Sequence, residues 1–362
     1  MGDRRARGGT VLVTGGAGFI GTALAPLLVR DFDRVVALDV LHPQVHARRE
    51  RPAGLDEAVE LVVGDVTDAT VWDGLLAAAR PDVVVHLAAE TGTGQSLTES
   101  TRHAAANVVG TTQMLDAFVR HDATPERVVL TSSRAVYGEG AWQDERTGDV
   151  VYPAQRTRAS LEAGHWDVPG ARPLPMDARS VVPAPVSVYG ATKLAQEHVL
   201  RTWALAQGVA PVVLRLQNVY GPGQSLSNPY TGIMSLFCRM ARVGRSIPLY
   251  EDGEVRRDFV LVDDVADAVH RAATVARPPA QVVDVGAGEH QTIARAAQLV
   301  AAYYGAPAPH VTGQFREGDV RHAWADVETA RGTLGWEPRV TLEEGVRRLA
   351  DWIEQQDDVT AP

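Results

Sequence analysis

One cysteine, Cys238, stands in the 362 residues, so the chain cannot form an internal disulfide. A reducing compartment is the simple inference, and a cytoplasmic protein is expected. No secretory leader and no apolar run long enough to cross a bilayer is visible, so no membrane partner is expected. Met1 to Gly9 is short and basic and reads as disordered. An excess of positive charge is also missing: the formal charge of −10 argues against nucleic acid as a partner. A local basic patch that binds phosphates stays compatible with it. Internal repeats and low-complexity tracts are absent. What is present is a chain 45% hydrophobic, long enough to bury a large core and to form two closely joined domains.

The segment Thr10-Val-Leu-Val-Thr-Gly-Gly-Ala-Gly-Phe-Ile-Gly21 begins as a short apolar run, a buried parallel strand, and passes into a helical pattern through Leu24, Leu27 and Leu28. Gly15, Gly18 and Gly21 punctuate the junction. They permit a tight turn, close approach of backbone N–H groups to a pyrophosphate, and packing of the helix on the strand. The following strand, Arg34 to Asp39, ends in a carboxylate that accepts hydrogen bonds from a ribose diol and repels a 2′-phosphate, which favours NAD over NADP. Two further apolar strands end at Asp65 and at Ala88-Ala89. Asp65 is placed for an adenine edge, and the two alanines leave room for the cofactor.

Strands and helices alternate from residue 10 to about residue 215, the pattern of a doubly wound, Rossmann-type parallel sheet in an α/β protein. From residue 216 to 356 the rhythm breaks into turns, short strands and helices near 229–244, 291–304 and 342–355. This reads as a smaller, discontinuous substrate domain, with an excursion near 263–275 back to the nucleotide domain. Residues 140–185, rich in Pro, Gly and Arg, read as a partly ordered lid anchored by Trp142, Tyr152 and Trp166. His165 within it reads as a solvated residue, and no metal set is expected.

Tyr189 and Lys193 form a Tyr-x-x-x-Lys pair in Ser187-Val-Tyr-Gly-Ala-Thr-Lys193. Residues four apart share a helix face, so the ammonium can sit beside the phenol and lower its pKa from about 10 toward neutrality. Tyr189 then serves as a general base toward a substrate hydroxyl.

Together with His86-Leu-Ala-Ala89, Asn107-Val-Val-Gly-Thr111, Thr131-Ser-Ser-Arg-Ala-Val-Tyr-Gly138, Asn218-Val-Tyr-Gly-Pro-Gly223 and Arg257-Asp-Phe-Val260, these motifs resemble the extended short-chain dehydrogenase/reductases, specifically the NAD-dependent nucleotide-sugar epimerases and dehydratases. The resemblance covers nearly the whole chain. Within the family, Ala89 to Ser96 and Arg215 to Thr231 look most like the dTDP-L-rhamnose 4-epimerases and their 6-deoxyhexose relatives.

The resemblance implies a catalytic triad of Ser133, Tyr189 and Lys193. Ser133 would bond the sugar oxygen at C4, and Lys193 would also bond the nicotinamide ribose. Without the rest of the pattern, Ser133 is a hydroxyl capping a loop. Phe19, Ile20, Val66, Leu87 and Asn107 complete the implied cofactor set. A 4,6-dehydratase of this family carries an Asp-Glu pair directly after the triad hydroxyl. Here those positions hold Arg134 and Ala135, so dehydration is excluded and hydride chemistry at C4 remains. The expected function is a 4-epimerase of a dTDP-6-deoxyhexose that retains NAD. The alternatives are a 4-ketoreductase that consumes reduced cofactor, and a non-catalytic NAD-binding sensor.

A nucleotide diphosphate calls for fixed positive charge, and the arginine fork suits it. The resemblance assigns Arg257 and Arg316 to the pyrophosphate, with Arg321 as a third candidate. The competing reading is a salt bridge, for Arg257 with Asp263 or Asp264. Asn218 and Arg134 count among the substrate contacts. Thr91, Thr93 and Ser96 join them, on a loop beyond a strand's carboxyl end, where open α/β sheets bind ligands. In the family, the helices near 99–119 and 188–206 pair across a twofold axis, so a homodimer is expected. Met114, Leu115, Phe118, Leu194, Val199 and Trp203 are its candidate apolar surface, although some of them must face the sheet.

Overall fold

The computed structural model describes residues 8–46, 48–226 and 232–356. Ser227 to Thr231 of the rhamnose-type stretch, and all but the last two residues of the basic opening segment, lie outside the described residues.

Seven parallel strands form the central sheet: β1 (Thr10–Thr14), β2 (Arg34–Asp39), β3 (Glu60–Val63), β4 (Val83–His86), β5 (Arg127–Ser133), β6 (Ala210–Leu216) and β7 (Val283–Val285). Their order across the sheet is β3-β2-β1-β4-β5-β6-β7. Val11 of β1 pairs with Val35 on one side and with Val83 on the other. The winding therefore reverses at β1, and the crevice that opens at the carboxyl ends of β1 and β4 is where such sheets hold ligands.

Near-continuous valine and leucine fit these strands for burial on both faces. Val11, Val13, Val35 and Val85 pack against Leu24 and Leu28 of helix α1 (Phe19–Asp31) and against Val265 and Val269 of a helix at Val262–Thr274. Leu12, Val36 and Val84 face the other way, onto Trp72 and Leu75 of helix α2 (Ala69–Ala78). Two more helices cover that face. The first, α3, runs through Ser100–Ala104, a π-helical turn at Ala105–Val109, and Gly110–Arg120; the second is α4 (Val188–Gln207).

The return to the nucleotide layer is longer than the excursion read near 263–275. The helix Val262–Thr274 begins it, and β7 then adds a strand to the sheet edge. Three residues of valine and aspartate are too short for a period to declare a strand.

Met114, Leu115 and Phe118 are the candidates that face the sheet: all three are buried within the chain and removed from the dimer surface. The exposed apolar residues on these helices are Val109 and Val119 of α3 and Leu205 of α4. A separate core, built on Tyr220, Phe237, Phe259, Val300 and Leu349, joins helices Ile233–Arg242, Ile293–Tyr304 and Leu342–Glu354.

Residues 140–185 carry a small antiparallel sheet, Trp142–Asp144 with Val150–Val151 and Ala171–Pro173, and a short helix at Arg158–Glu162. Trp142 is buried, and Trp166 is half-buried against Phe315. Tyr152 is exposed and no apolar anchor; its hydroxyl donates to the Ser180 carbonyl.

Candidate active site

A cleft of about 540 Å³ opens at the crevice beyond β1 and β4. Its floor is the glycine turn. Gly15 takes φ +67°, and a Cβ there would lie 2.8 Å from the Ala88 nitrogen, so turn and neighbouring strand end touch backbone to backbone. A Cβ at Gly21 would collide with Gly16, which explains that glycine as a packing requirement. Gly18 meets only the Gly15 carbonyl, lines the cleft, and caps α1 without a side-chain acceptor. The positive end of α1 therefore faces the cleft, ready for an anion.

Asp39 closes one end. Its carboxylate accepts from Ala17 N at 3.0 Å and Leu41 N at 2.9 Å, and His46 Nε2 stands 3.9 Å away. Those bonds leave lone pairs on both oxygens for a diol. Phe19, Ile20, Asp65, Val66, Leu87, Ala88 and Ala89 line the same cleft. The glycine cradle, the open helix end and the buried carboxylate thus fit a dinucleotide with a free 2′-hydroxyl.

Asn107 does not line it. Fully buried in the π-helical turn, its side chain accepts from Glu90 N, and its Nδ2 donates to Glu90 O at 3.1 Å and Thr192 Oγ1 at 2.9 Å. It pins the loop after β4 to α4, so its reading as a cofactor contact is corrected to that of a brace.

At the other end stand Ser133, Arg134, Tyr189, Lys193 and Asn218. Ser187 caps α4 by accepting from Gly190 N, which sets Tyr189 in the first helical turn. Gly190 has no side chain because Ala135 O occupies the place of a Cβ, and this contact brings the start of α4 onto the turn that carries Ser133. Ser133 does cap that turn, accepting from Ala135 N at 3.2 Å.

Burial holds the Tyr189 phenol above its ordinary value, while the Ser133 hydroxyl and the Arg134 guanidinium pull it back down. Arg134, read from the sequence as a substrate contact, is thus a cation that also acts on Tyr189. Lys193 is buried, and its Nζ donates to Gln196 Oε1. Burial lowers its pKa to about 7 against the opposing pull of Glu197. Arg134 Nε donates to Asn218 Oδ1 at 2.7 Å, and its Nη groups have no partner among the described residues. Burial, and the charge of Arg257, lower the Arg134 pKa to about 10.

Thr91 and Thr93 line the cleft; Ser96 is buried beside it, its hydroxyl donating to Thr93 O. The three expected phosphate arginines separate. Arg316 lies over the Tyr250 ring, 5.2 Å from its centroid, in a second hollow of about 490 Å³ shared with Arg158 and Phe315. Arg257 is committed within the protein: Nη2 donates to Asp319 Oδ1 at 2.8 Å and Val320 O at 2.7 Å, and Nη1 to Arg256 O and Arg321 O. Its acidic partner is Asp319 rather than Asp263 or Asp264.

Arg321 is corrected outright. Its side chain is 2% exposed and bonded to Glu251, Asp252 and Asp167, far too occupied to clamp a phosphate. Asp167 belongs to the 140–185 insertion, as does Arg156, which donates to Glu251 Oε2 at 2.9 Å and Asp319 O at 2.8 Å. The insertion is thus clasped to the substrate side by ion pairs.

Glu90 in the cleft and Tyr250 in the second hollow escaped the sequence reading. Glu90 directly follows the two strand-end alanines and pairs with Arg102 at 2.9 Å; an acid at that position was the available signal. Tyr250 was marked only by standing shortly before Arg257. Lys193 carries a plainer mark: it is the only lysine in the chain, the other 34 of the 35 basic residues being arginine.

The family model for NAD dependent epimerase/dehydratase proteins matches residues 11–159 and 167–286. The chain is 57% identical over 353 residues, 97% of its length and 96% of the relative's, to the dTDP-L-rhamnose 4-epimerase of Burkholderia thailandensis. Among solved structures it is similar to the UDP-glucose 4-epimerase of Thermotoga maritima with UDP-glucose, with a TM-score of 0.79, 27% identity, and coverage of 96% of this chain and 99% of that one. A UDP-glucose 4-epimerase of Thermus thermophilus in complex with NAD gives a TM-score of 0.74 at 27% identity, over 96% of this chain and 99% of that one.

Proposed function

Because this chain belongs to the NAD-dependent epimerase/dehydratase family, we propose that it interconverts the C4 epimers of a dTDP-6-deoxyhexose, dTDP-L-rhamnose foremost, through a transient 4-keto sugar. The observation that carries the substrate is the 57% identity to a dTDP-L-rhamnose 4-epimerase along nearly the full length of both chains.

NAD, when bound, supplies the acceptor and then the donor of hydride at C4. The chain's own residues do the rest. Asp39 takes the adenosine ribose diol and repels a 2′-phosphate, and the open end of α1 takes the pyrophosphate. Tyr189 removes the C4 hydroxyl proton and returns it after the sugar has turned; Ser133 holds the C4 oxygen. Arg134 favours the phenolate that this exchange needs, and Asn218 fixes the Arg134 fork. Lys193 holds the nicotinamide ribose. With Arg134 and Ala135 after Ser133, no side chain at those positions offers the acid and base of a dehydration.

The hollow of Tyr250, Phe315 and Arg316 supports a place for the nucleotide: an aromatic face for the base and a guanidinium for the diphosphate. In this reading residues 10–215 hold the cofactor, with help from the Val262–Thr274 helix and β7, and residues 216–356 otherwise hold the sugar nucleotide. A homodimer through α3 and α4 belongs to the same reading, supported by exposed Val109, Val119 and Leu205. So does a cytoplasmic setting, supported by the lone, buried Cys238.

The test is to incubate the purified protein with dTDP-L-rhamnose and no added cofactor and to follow the C4 epimer by NMR. Product without cofactor turnover is expected. Activity confined to 4-keto sugars, with stoichiometric NAD(P)H oxidation, would overturn the reading in favour of a 4-ketoreductase.

A further inference from the structure

Behind the catalytic pair a buried polar chain runs from Lys193, at the cleft wall, into the protein. Lys193 Nζ donates to Gln196 Oε1 at 2.5 Å, and Gln196 Nε2 donates to Thr111 Oγ1 at 2.8 Å. The Thr111 hydroxyl has one proton and gives it to Asn107 O at 2.7 Å, since a carbonyl can only accept. His86 Nε2, 2.9 Å from Thr111 Oγ1, must therefore carry a proton and donate it. Burial keeps the His86 ring neutral, so its Nδ1 is bare and accepts from Thr14 Oγ1 at 2.6 Å, whose own lone pair receives Ala88 N at 3.3 Å. Every donor and acceptor direction in the chain is determined. Lys193 is 2% exposed, and Gln196, Thr111 and His86 are each 0%.

We propose that Gln196 is the positioning residue of Lys193: its amide oxygen holds the ammonium in place, and Thr111, backed by neutral His86, fixes which end of that amide faces the lysine. A flipped amide would set Nε2 against the ammonium and leave two buried donors opposed. The choice of a neutral acceptor has a consequence. A carboxylate at 196 would lock Lys193 as a cation, whereas an amide satisfies one N–H and leaves the proton exchangeable. The other charged or titratable groups shown around Lys193 are His86 on β4 and Glu197 and Tyr189 on α4. His86 is neutral, and Glu197 is shared with Arg215 Nη2 at 2.8 Å and with the Ser132 hydroxyl. No carboxylate is bonded directly to the ammonium among the described residues.

The role matters to catalysis through the proposed part of Lys193 in the triad, and the inference rests on that reading for its functional arm alone. The chain's single lysine makes the structural arm direct. In protein labelled with 13C at lysine Cε, one side-chain resonance reports Lys193, and its titration midpoint is read by NMR for the wild type, Gln196→Glu, Gln196→Leu and Thr111→Val, each checked for native melting. Gln196→Glu is expected to raise the midpoint by about one unit or more, and Gln196→Leu to lower it, with Thr111→Val following Gln196→Leu in direction. Midpoints that coincide in all four proteins would overturn the inference. On the enzyme with its cofactor, Gln196→Leu should lower kcat tenfold or more and move the alkaline limb of the pH profile down, leaving KM within about twofold. An inactive wild type in that assay sinks the proposed function and not the Lys193 contact, because the NMR arm needs no turnover.

Discussion

Tyr189 carries the sharpest expectation at the scale of single residues. Tyr189→Phe removes the proton acceptor and keeps the ring, so turnover should fall on the order of a thousandfold, about 4 kcal/mol of barrier, with the fold intact. Turnover assayed beside a thermal melt checks both halves, and near-normal turnover would refute the assigned base. His86 makes a different prediction. Burial, and then the charge of Lys193, lower its pKa to about 3. The unfolded chain takes up that proton near pH 6.5 while the folded one refuses it, so acidification through 6.5 favours unfolding, and the loss grows until about pH 3. The full span is on the order of 5 kcal/mol. Urea unfolding of His86→Gln against wild type at pH 7.5 and 5 should show a shallower acid loss in the variant.

At this scale the sequence declared the glycine turn, and it named Ser133, Tyr189 and Lys193, which the structure brings to one cleft. It could not declare that Arg134 also acts on Tyr189, because Arg134 follows a different strand and only packing brings it to the start of α4. Arg321 failed for a related reason: an arginine next to an acid reads the same whether it waits for phosphate or is buried among three carboxylates.

Among the elements, the insertion at 140–185 departs most from what its composition suggested. A Pro- and Gly-rich stretch of that length reads as a lid, yet Arg156 and Asp167 tie it to Glu251, Arg321 and His322, residues distant in sequence. Arg321→Leu leaves Glu251 buried with one partner fewer and should cost about 3 kcal/mol of stability. Asp167→Asn, on the exposed rim of the clasp, should cost under about 1 kcal/mol. Denaturant melts of both variants check the order; equal costs would mean that the clasp contributes through packing alone. The central strands were legible because each is a run of valine and leucine closed by a turn. β7 was not, being three residues whose partner, β6, lies far upstream.

For the molecule as a whole, assembly is the open quantity. Leu205, 86% exposed, and Val119, 53% exposed, stand on the two helices proposed to meet a second copy. The double variant Leu205→Asp with Val119→Asp should shift a dimer toward monomer by light scattering while leaving the isolated fold's melt within a few degrees. A wild type that runs as a monomer at micromolar concentration would remove the dimer from the reading. The doubly wound architecture was readable from the alternation of elements, since each parallel crossover needs a helix and each helix left its period in the chain. The dimer surface was not: burial against the sheet and burial against a partner leave the same apolar stripe, and the sequence could not say that Met114 and Phe118 are among those that face the sheet.

β7 also bears on how this chain comes to be made. β6 is complete at residue 216 and its sheet partner ends at residue 285, while the clasp on the insertion waits for Arg321. During synthesis the first six strands therefore emerge with one edge unpaired and the insertion untethered. The interval between the emergence of β6 and of β7 is when the nascent chain is most open to pairing with another copy by the wrong edge. A nascent chain halted before residue 283 should engage chaperones that one released after residue 330 no longer needs.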